Sequence, residues 1–344
     1  MSTIASEEDT LNLTACLHVA KRLALEAGKM QEEVTSATMN VQSKGGIDLV
    51  TAVDQACEKH IFEALRQEFP SHKFIGEESA AEVVLGNEPT WCVDPVDGTT
   101  NFVHSFPMFC VSIGLFVNRA PVLGVIYDPS RKEMYHAITG AGAFVNNVAI
   151  QVDHASTDLS QAFVCTNFGH SRKKKFFSRL SFLFDIIIYL LILTNLLTNL
   201  LTLILLCFQN LLPSTFGFKY FLGDSTILAR QLHCTSSLLT SNVRAIRMTG
   251  SCCLAMCHVA RGWATCYFEY DVGGLWDVCA GIVIVKEAGG VVVTPDDGVS
   301  LVPCKSGKQK LSCGNSVIVR NFFNFFKFLY PLCSILFLLN GTFS

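Results

Sequence analysis

A chain of 344 residues has room for one large domain or two ordinary ones, with a sizeable buried core. Charged residues make up 16% of it against a usual share of roughly a quarter, while hydrophobic residues reach 50%. The formal net charge of −3, with a single short basic run at Arg172–Lys175, gives no footing to nucleic acid or another polyanion.

Residues Met1–Asp9 carry Glu7, Glu8 and Asp9 and no apolar run, unlike a secretory signal. From Thr10 to about Glu33, Leu13, Cys16, Leu17, Ala20, Ala24 and Ala27 recur at the spacing of an amphipathic helix. A short extended run, Ile47–Thr51, follows the Gly45-Gly46 turn. Ala56, His60, Ile61, Ala64, Leu65 and Phe69 then predict a second helix stopped by Pro70. Strands are predicted at Lys73–Ile75, Trp91–Val93, Cys110–Val117 and, after an Asn118-Arg119 turn, Val122–Tyr127. The second half begins near Val152. It predicts a helix over Leu222–Leu232, a strand at Ala245–Met248 and a helix over Cys252–Ala260 closed by Gly262. A strand-like Tyr267-Phe268 follows, then an apolar helix from Trp276 to the Gly289-Gly290 stop and the strand Val291–Val293. Two packed α/β halves, 10–151 and 152–320, account for this order. Fifteen cysteines, odd in number and with no CxxC pair, read as reduced core residues in a cytoplasmic protein.

The densest chemical signal is Trp91-Cys-Val-Asp94-Pro-Val-Asp97-Gly-Thr99-Thr100-Asn101-Phe102. An apolar strand ends at one aspartate and a second follows three residues on, so two carboxylates converge. Pro95 keeps the turn between them from becoming helix, Gly98 permits close approach of a ligand, and Thr99 or Thr100 is suited to cap a helix starting there. Hard carboxylates suit Mg²⁺, and free amides at a helix start suit phosphate. A surface turn uses the same residue types. Two further acid sites add to the signal: Gly76-Glu77-Glu78-Ser79 follows a predicted strand, and Trp276-Asp277 opens an apolar helix. Gly140-Ala-Gly142 is too short for a dinucleotide fingerprint and reads as a hairpin turn.

Gly76-Glu-Glu-Ser, Asp94-Pro-Val-Asp-Gly-Thr-Thr-Asn-Phe and Trp276-Asp277 with Glu287-Ala-Gly-Gly together resemble the signature motifs of the inositol monophosphatase family. Asp48-Leu-Val-Thr-Ala-Val-Asp54, Phe102-Val-His-Ser-Phe-Pro107 and Gly140-Ala-Gly-Ala-Phe144 extend the likeness, which covers roughly residues 10–170 and 222–320. The resemblance implies a layered αβαβα fold, usually a homodimer, that hydrolyses a small phosphate monoester with Mg²⁺ and is sensitive to Li⁺. By motif position Glu77, Asp94 and the Val96 carbonyl hold a first metal, and Asp94, Asp97 and Asp277 a second. Thr99 with Glu77 positions and deprotonates the attacking water, and Gly98 and Thr99 amides meet phosphate. Gly250-Ser251-Cys252 and Glu269 face the inositol ring. Two metals acidify water and neutralise a leaving alkoxide, so neither His nor Cys is needed as catalyst. Glu269 lies eight residues before Asp277, one more than the family spacing, and the histidine-containing counterpart of Asp271-Val-Gly-Gly274 is missing.

Two stretches do not fit an enzyme. Phe176–Phe208 is almost wholly Phe, Leu, Ile, Tyr, Thr and Asn, and exceeds the roughly 20 apolar residues that span a bilayer. A single span there separates Asp277 from the acids it must join. The bias, repeated at Asn321–Phe343, is that of translated AT-rich noncoding DNA, so 173–218 and 321–344 are expected to be foreign to the fold, with a membrane as partner only if they are real. A phosphatase of another small sugar or nucleotide phosphate, and a membrane-tethered or inactive homologue acting as an interaction protein, are the competing readings.

Overall fold

The computed structural model describes residues 11–33, 41–43, 49–79, 85–156, 158–168, 226–270, 272–293 and 317–320. The expected insertion and tail, the Lys44–Asp48 run and Asp271 lie outside them. The chain divides into two compact units, residues 1–170 with 236–344, and residues 171–235. Of the second, the described part is the beginning of a helix spanning Thr226–Thr240.

The first unit opens with helix α1 (Leu13–Glu32), whose N-cap Asn12 accepts from the Ala15 amide. Helix α2 (Ala52–Glu68) follows a small antiparallel pair, β1 (Val41–Ser43) with β2 (Leu49–Thr51). One face of each helix is buried: Cys16, Ala20, Leu23, Ala24 and Ala27 from α1, and Cys57, Ile61, Phe62 and Leu65 from α2. They cover one side of a seven-stranded sheet in sequential order. Its strands are β3 (Lys73–Gly76), β4 (Thr90–Asp97), β5 (Cys110–Val117), β6 (Ala120–Asp128), β7 (Glu133–Ile138), β8 (Ala143–Val145) and β9 (Val148–Ile150). Only β3 and β4 run parallel; the rest is a meander.

Helix α3 (Thr99–Val103) is a single turn, and α4 is the Thr226–Thr240 helix. The other face of the large sheet carries α6 (Leu275–Glu287), which is apolar all round because it is sandwiched. Together with α5 (Cys252–Ala260) it forms a core reaching to a second sheet. In that sheet the order is β11 (Ala245–Met248), β10 (Phe163–Thr166), β12 (Cys266–Glu269), β14 (Val317–Arg320) and β13 (Val291–Val293). β10 runs parallel to both β11 and β12, and β14 antiparallel to its neighbours. Among the described residues of the first unit the layers run helices, sheet, helices, sheet, in keeping with the expected αβαβα order.

Where α6 meets the large sheet, Gly114 and Gly124 face each other across β5 and β6. A Cβ on Gly124 would lie 2.3 Å from the Ala280 carbonyl oxygen. The bare backbone there lets the helix sit close enough to bring its first turn to the end of β4.

Two sequence expectations need correction. The strand expected to end at Asp94 continues to Asp97. Between them the ladder slips: Asp94 pairs with Ser112 and Asp97 with Cys110, so Pro95 and Val96 oppose the single residue Val111. This is a β-bulge, where a proline without a donor is tolerated, rather than a turn after the strand. Nor does a threonine cap α3. The N-cap is Gly98, at φ +91°, and Thr99 is the first helical residue. Gly140 and Gly142 do form the expected turn, and both their amides donate to the Glu287 carboxylate, at 2.9 and 2.8 Å. Two motif segments distant in sequence are thus one hydrogen-bonded pair.

Candidate active site

The bulge in β4 aims Asp94 and Asp97 at the first turn of α6. Carboxylate oxygens of Asp94, Asp97 and Asp277 lie within 4.8 Å of one another, and all three residues are buried. Asp94 is fixed by its own turn, accepting from the Val96 amide at 3.0 Å. Gln31 of α1 donates to the Pro95 carbonyl at 2.8 Å and so holds the bulge from behind. Asp277 accepts from the Gly274 amide at 2.7 Å, which makes it the capping carboxylate of α6 as well as a member of the cluster. Glu77, just past the end of β3, donates its amide to the Val93 carbonyl, and its carboxyl is hydrogen-bonded to Asp94.

Asp97 is the most heavily bonded of the set. It accepts from the Ser251 hydroxyl in a short hydrogen bond, from the Cys253 amide at 2.8 Å and from the Cys252 amide at 3.3 Å. These donors belong to the start of α5, where Ser251 is also the N-cap, accepting from the Leu254 amide. The Cys110 thiol adds a contact at 3.6 Å. Thr99 donates its hydroxyl to the Val96 carbonyl at 3.1 Å. A Cβ on Gly98 would come within 2.8 Å of the Met108 carbonyl, so its positive φ and the close approach both demand glycine.

So many acids in so little water hold their protons tightly. Burial, then repulsion from Asp277, pushes the Glu77 carboxyl up to about 9. Burial and the Glu77, Asp97 and Asp277 charges push Asp94 well above the carboxylate range. Asp97 is raised by burial, opposed by its donors from Ser251, Cys253 and Cys252. Three buried hard-oxygen ligands this close, with a fourth carboxyl beside them, fit a divalent cation, whose charge offsets the repulsion that now falls on protons.

Glu269, at the end of β12, is buried, and the charges of Asp277 and Asp97 reach it. Burial pushes it up to about 8, opposed by donors from Tyr267 and Asn167. The Tyr267 hydroxyl and the Asn167 amide, at 3.1 Å, both meet its Oε2. The Thr249–Ser251 turn is held by two asparagine side chains. Asn101 donates to the Thr249 carbonyl at 2.8 Å, and Asn167 accepts from the Gly250 amide at 2.8 Å. Sequence reasoning named Asn101 only as part of a motif and missed Asn167, Tyr267 and Gln31. Asn167 and Gln31 carry no pattern of their own, because their partners are remote in the chain, and Tyr267, two residues before Glu269, reads as an ordinary apolar strand position. Buried Asp54 of α2, quoted only within a family-like segment, adds its charge to the raising of Glu77.

Acids clustered at the end of one strand and the first turn of a facing helix suit divalent-metal chemistry, and the relatives below make the chain a phosphoric monoester hydrolase of a metal-dependent kind. The chain belongs to the inositol monophosphatase family, whose model matches residues 12–183 and 212–321 and passes over 184–211. It is 40% identical over 282 residues to inositol monophosphatase 3 of Solanum lycopersicum, covering 81% of this chain and 85% of the relative. Human inositol monophosphatase 2 is 34% identical, covering 87% and 89%. The structure of inositol monophosphatase from Anabaena superposes with a TM-score of 0.63 at 26% identity, covering 95% of this chain and 97% of that one.

Proposed function

We propose that the protein hydrolyses inositol monophosphate to inositol and phosphate, using Mg²⁺ held by Glu77, Asp94, the Val96 carbonyl, Asp97 and Asp277. The observation that carries this reading is the trio of buried carboxylates within 4.8 Å at the β4 bulge. When bound, the cation supplies the positive charge that acidifies an attacking water and steadies the leaving oxygen. Asp94, whose proton affinity is raised by Glu77, Asp97 and Asp277 alike, is the ligand common to the whole cluster. Glu77 is the proton acceptor, and the Thr99 hydroxyl, tethered to the Val96 carbonyl, orients the water beside it. Gly98 and Thr99 offer amides to the phosphate at the start of α3. Ser251 and Cys252 act through Asp97, whose carboxylate they fix, with Gly250 as the turn that places them. Glu269 supplies the acceptor for ring hydroxyls at the far side of the site.

Inhibition by Li⁺ and a homodimeric assembly belong to the same proposal and rest on family membership. A reducing, cytoplasmic setting is supported by the odd number of scattered cysteines, of which the eleven described are buried and not joined in disulfides. The test is phosphate release from inositol 1-phosphate by the purified chain, expected to require Mg²⁺ and to fall with Li⁺. Equal turnover in excess chelator would sink the metal mechanism. A strong preference for an adenosine bisphosphate would overturn the substrate.

A further inference from the structure

Asn167 sits one residue beyond β10, between the ends of two parallel neighbours. Thr166 pairs with Met248 on one side and with Phe268 on the other, so the next step of each ladder would set Asn167 between Thr249 and Glu269. The ladder stops there and the side chain replaces it. Oδ1 accepts from the Gly250 amide at 2.8 Å, the Thr249 amide at 3.1 Å and the Thr249 hydroxyl at 3.4 Å. Nδ2 donates to Glu269 Oε2 at 3.1 Å. Asn167 and Glu269 are both buried, and the orientation of the amide is set by its neighbours. Two backbone N–H groups require the oxygen, and a carboxylate requires the nitrogen.

From the Thr249–Ser251 turn the connection continues to the acid cluster, since Ser251 and the two amides after it hold Asp97. One amide thus ties the carboxylate on the substrate side to the loop that fixes a carboxylate on the metal side. Among the described residues Tyr267 and Asn167 both donate to Oε2 of Glu269, so Oε1 is the atom assigned to accept from a sugar hydroxyl.

We infer that Asn167 is a positioning residue that sets where the hydroxyl-binding carboxylate Glu269 stands relative to the phosphate-binding side, and so governs selection of a polyol phosphate. This rests on the proposed reading of Glu269. Only a side chain that accepts on one arm and donates on the other meets both demands. Ionised Asp keeps the acceptor arm but sets a second carboxylate against Glu269.

The test uses the full-length protein with Mg²⁺. Asn167→Asp should raise KM for inositol 1-phosphate about tenfold or more, the scale of one lost hydrogen bond to a charged group, with kcat changed by less than about threefold. The inhibition constant of inorganic phosphate, which has no ring hydroxyls, should stay where it was. General damage would move both constants together, and that result would overturn the proposal. Where Asn167→Asp does not fold, Asn167→Ser keeps an acceptor near the turn but does not reach Glu269, and should show the same split. Glu269→Gln separates the two readings. If it leaves KM unchanged, the hydroxyl-binding role of Glu269 fails and the proposal with it. If it raises KM while Asn167→Asp does not, Glu269 stands and the role of Asn167 is wrong.

Discussion

The two sheets contribute to the site in different ways. The seven-stranded sheet runs through its strands in chain order and delivers Asp94 and Asp97 from one bulged strand, three residues apart. The five-stranded sheet is assembled from segments far apart in the chain, and its contribution is a row of strand ends: Asn167 after β10, Thr249 after β11, Glu269 closing β12. The bulge places two acids of the first side locally, to be joined by Glu77 and Asp277, and long-range parallel pairing makes the second. Chemistry concentrated on one short segment should be lost through one atom, whereas a grip distributed over three strand ends should weaken by degrees.

The largest effect is expected at Asp94. Asp94→Asn takes a charge from the centre of the cluster while keeping the side chain's size and its acceptor for the Val96 amide. Turnover of inositol 1-phosphate should fall by about a thousandfold or more, the scale of losing a group that stabilises charge in the transition state. Thermal melting of the metal-free variant should not fall, because repulsion with Glu77, Asp97 and Asp277 is relieved. A variant with full turnover would show that the bulge is not where the chemistry happens.

A second, smaller effect follows from removing the metal. Glu77 has an ordinary value of 4.5 and is pushed up to about 9 in the folded state, and Glu269 is pushed from 4.5 up to about 8. Between those limits the folded protein keeps protons that the unfolded chain has released. Their contribution to stability is fully present below 4.5 and is lost as pH rises through 8 and 9. Metal-free protein should therefore melt at progressively lower temperature from pH 5 to 9, and added Mg²⁺ should restore most at the alkaline end. Loss on the side of Glu77 should be recovered by the metal more fully than loss on the side of Glu269, where burial dominates and the Asp277 and Asp97 charges add less. A melting temperature that rises with pH without metal would contradict the buried-carboxyl picture on both sides.

Legibility in the sequence followed the same division. Helices α1, α2, α5 and α6 were readable because their apolar positions recur locally, and the acids were readable because motif and chemistry coincide on a few residues. The bulge was not, since Pro95 between two aspartates looks like a turn unless Ser112 and Cys110 are known to lie opposite. Strands β7 to β9 gave no clean alternation, because they form one end of the large sheet and β8 and β9 are only 3 residues each, too short to show a period. Asn167 was invisible for the plainest reason: its partners are 82, 83 and 102 residues away, and nothing in the residue itself announces them.

The smallest expected effect on catalysis is at the insertion. The family match ends at residue 183 and resumes at 212, narrower than the 173–218 suggested by composition. Every residue assigned to the acid cluster or to the Glu269 side lies in matched sequence. Deleting 184–211 should therefore leave kcat per folded molecule and KM unchanged. The chain should nevertheless behave better, because 20 of the 28 deleted residues are apolar and Asp185 is the one charge among them, and apolar surface of that extent draws proteins into aggregates or onto membranes. Shortening the connection costs little, since loop-closure entropy changes by only about 0.6 kcal/mol for each doubling of length. The check is yield and monodispersity by size-exclusion chromatography beside kinetics on inositol 1-phosphate. If the deletion unfolds the protein while the full chain is soluble and active, the stretch is part of the core. The five-stranded sheet, whose β10 and β11 lie on either side of it in the chain, would then depend on it.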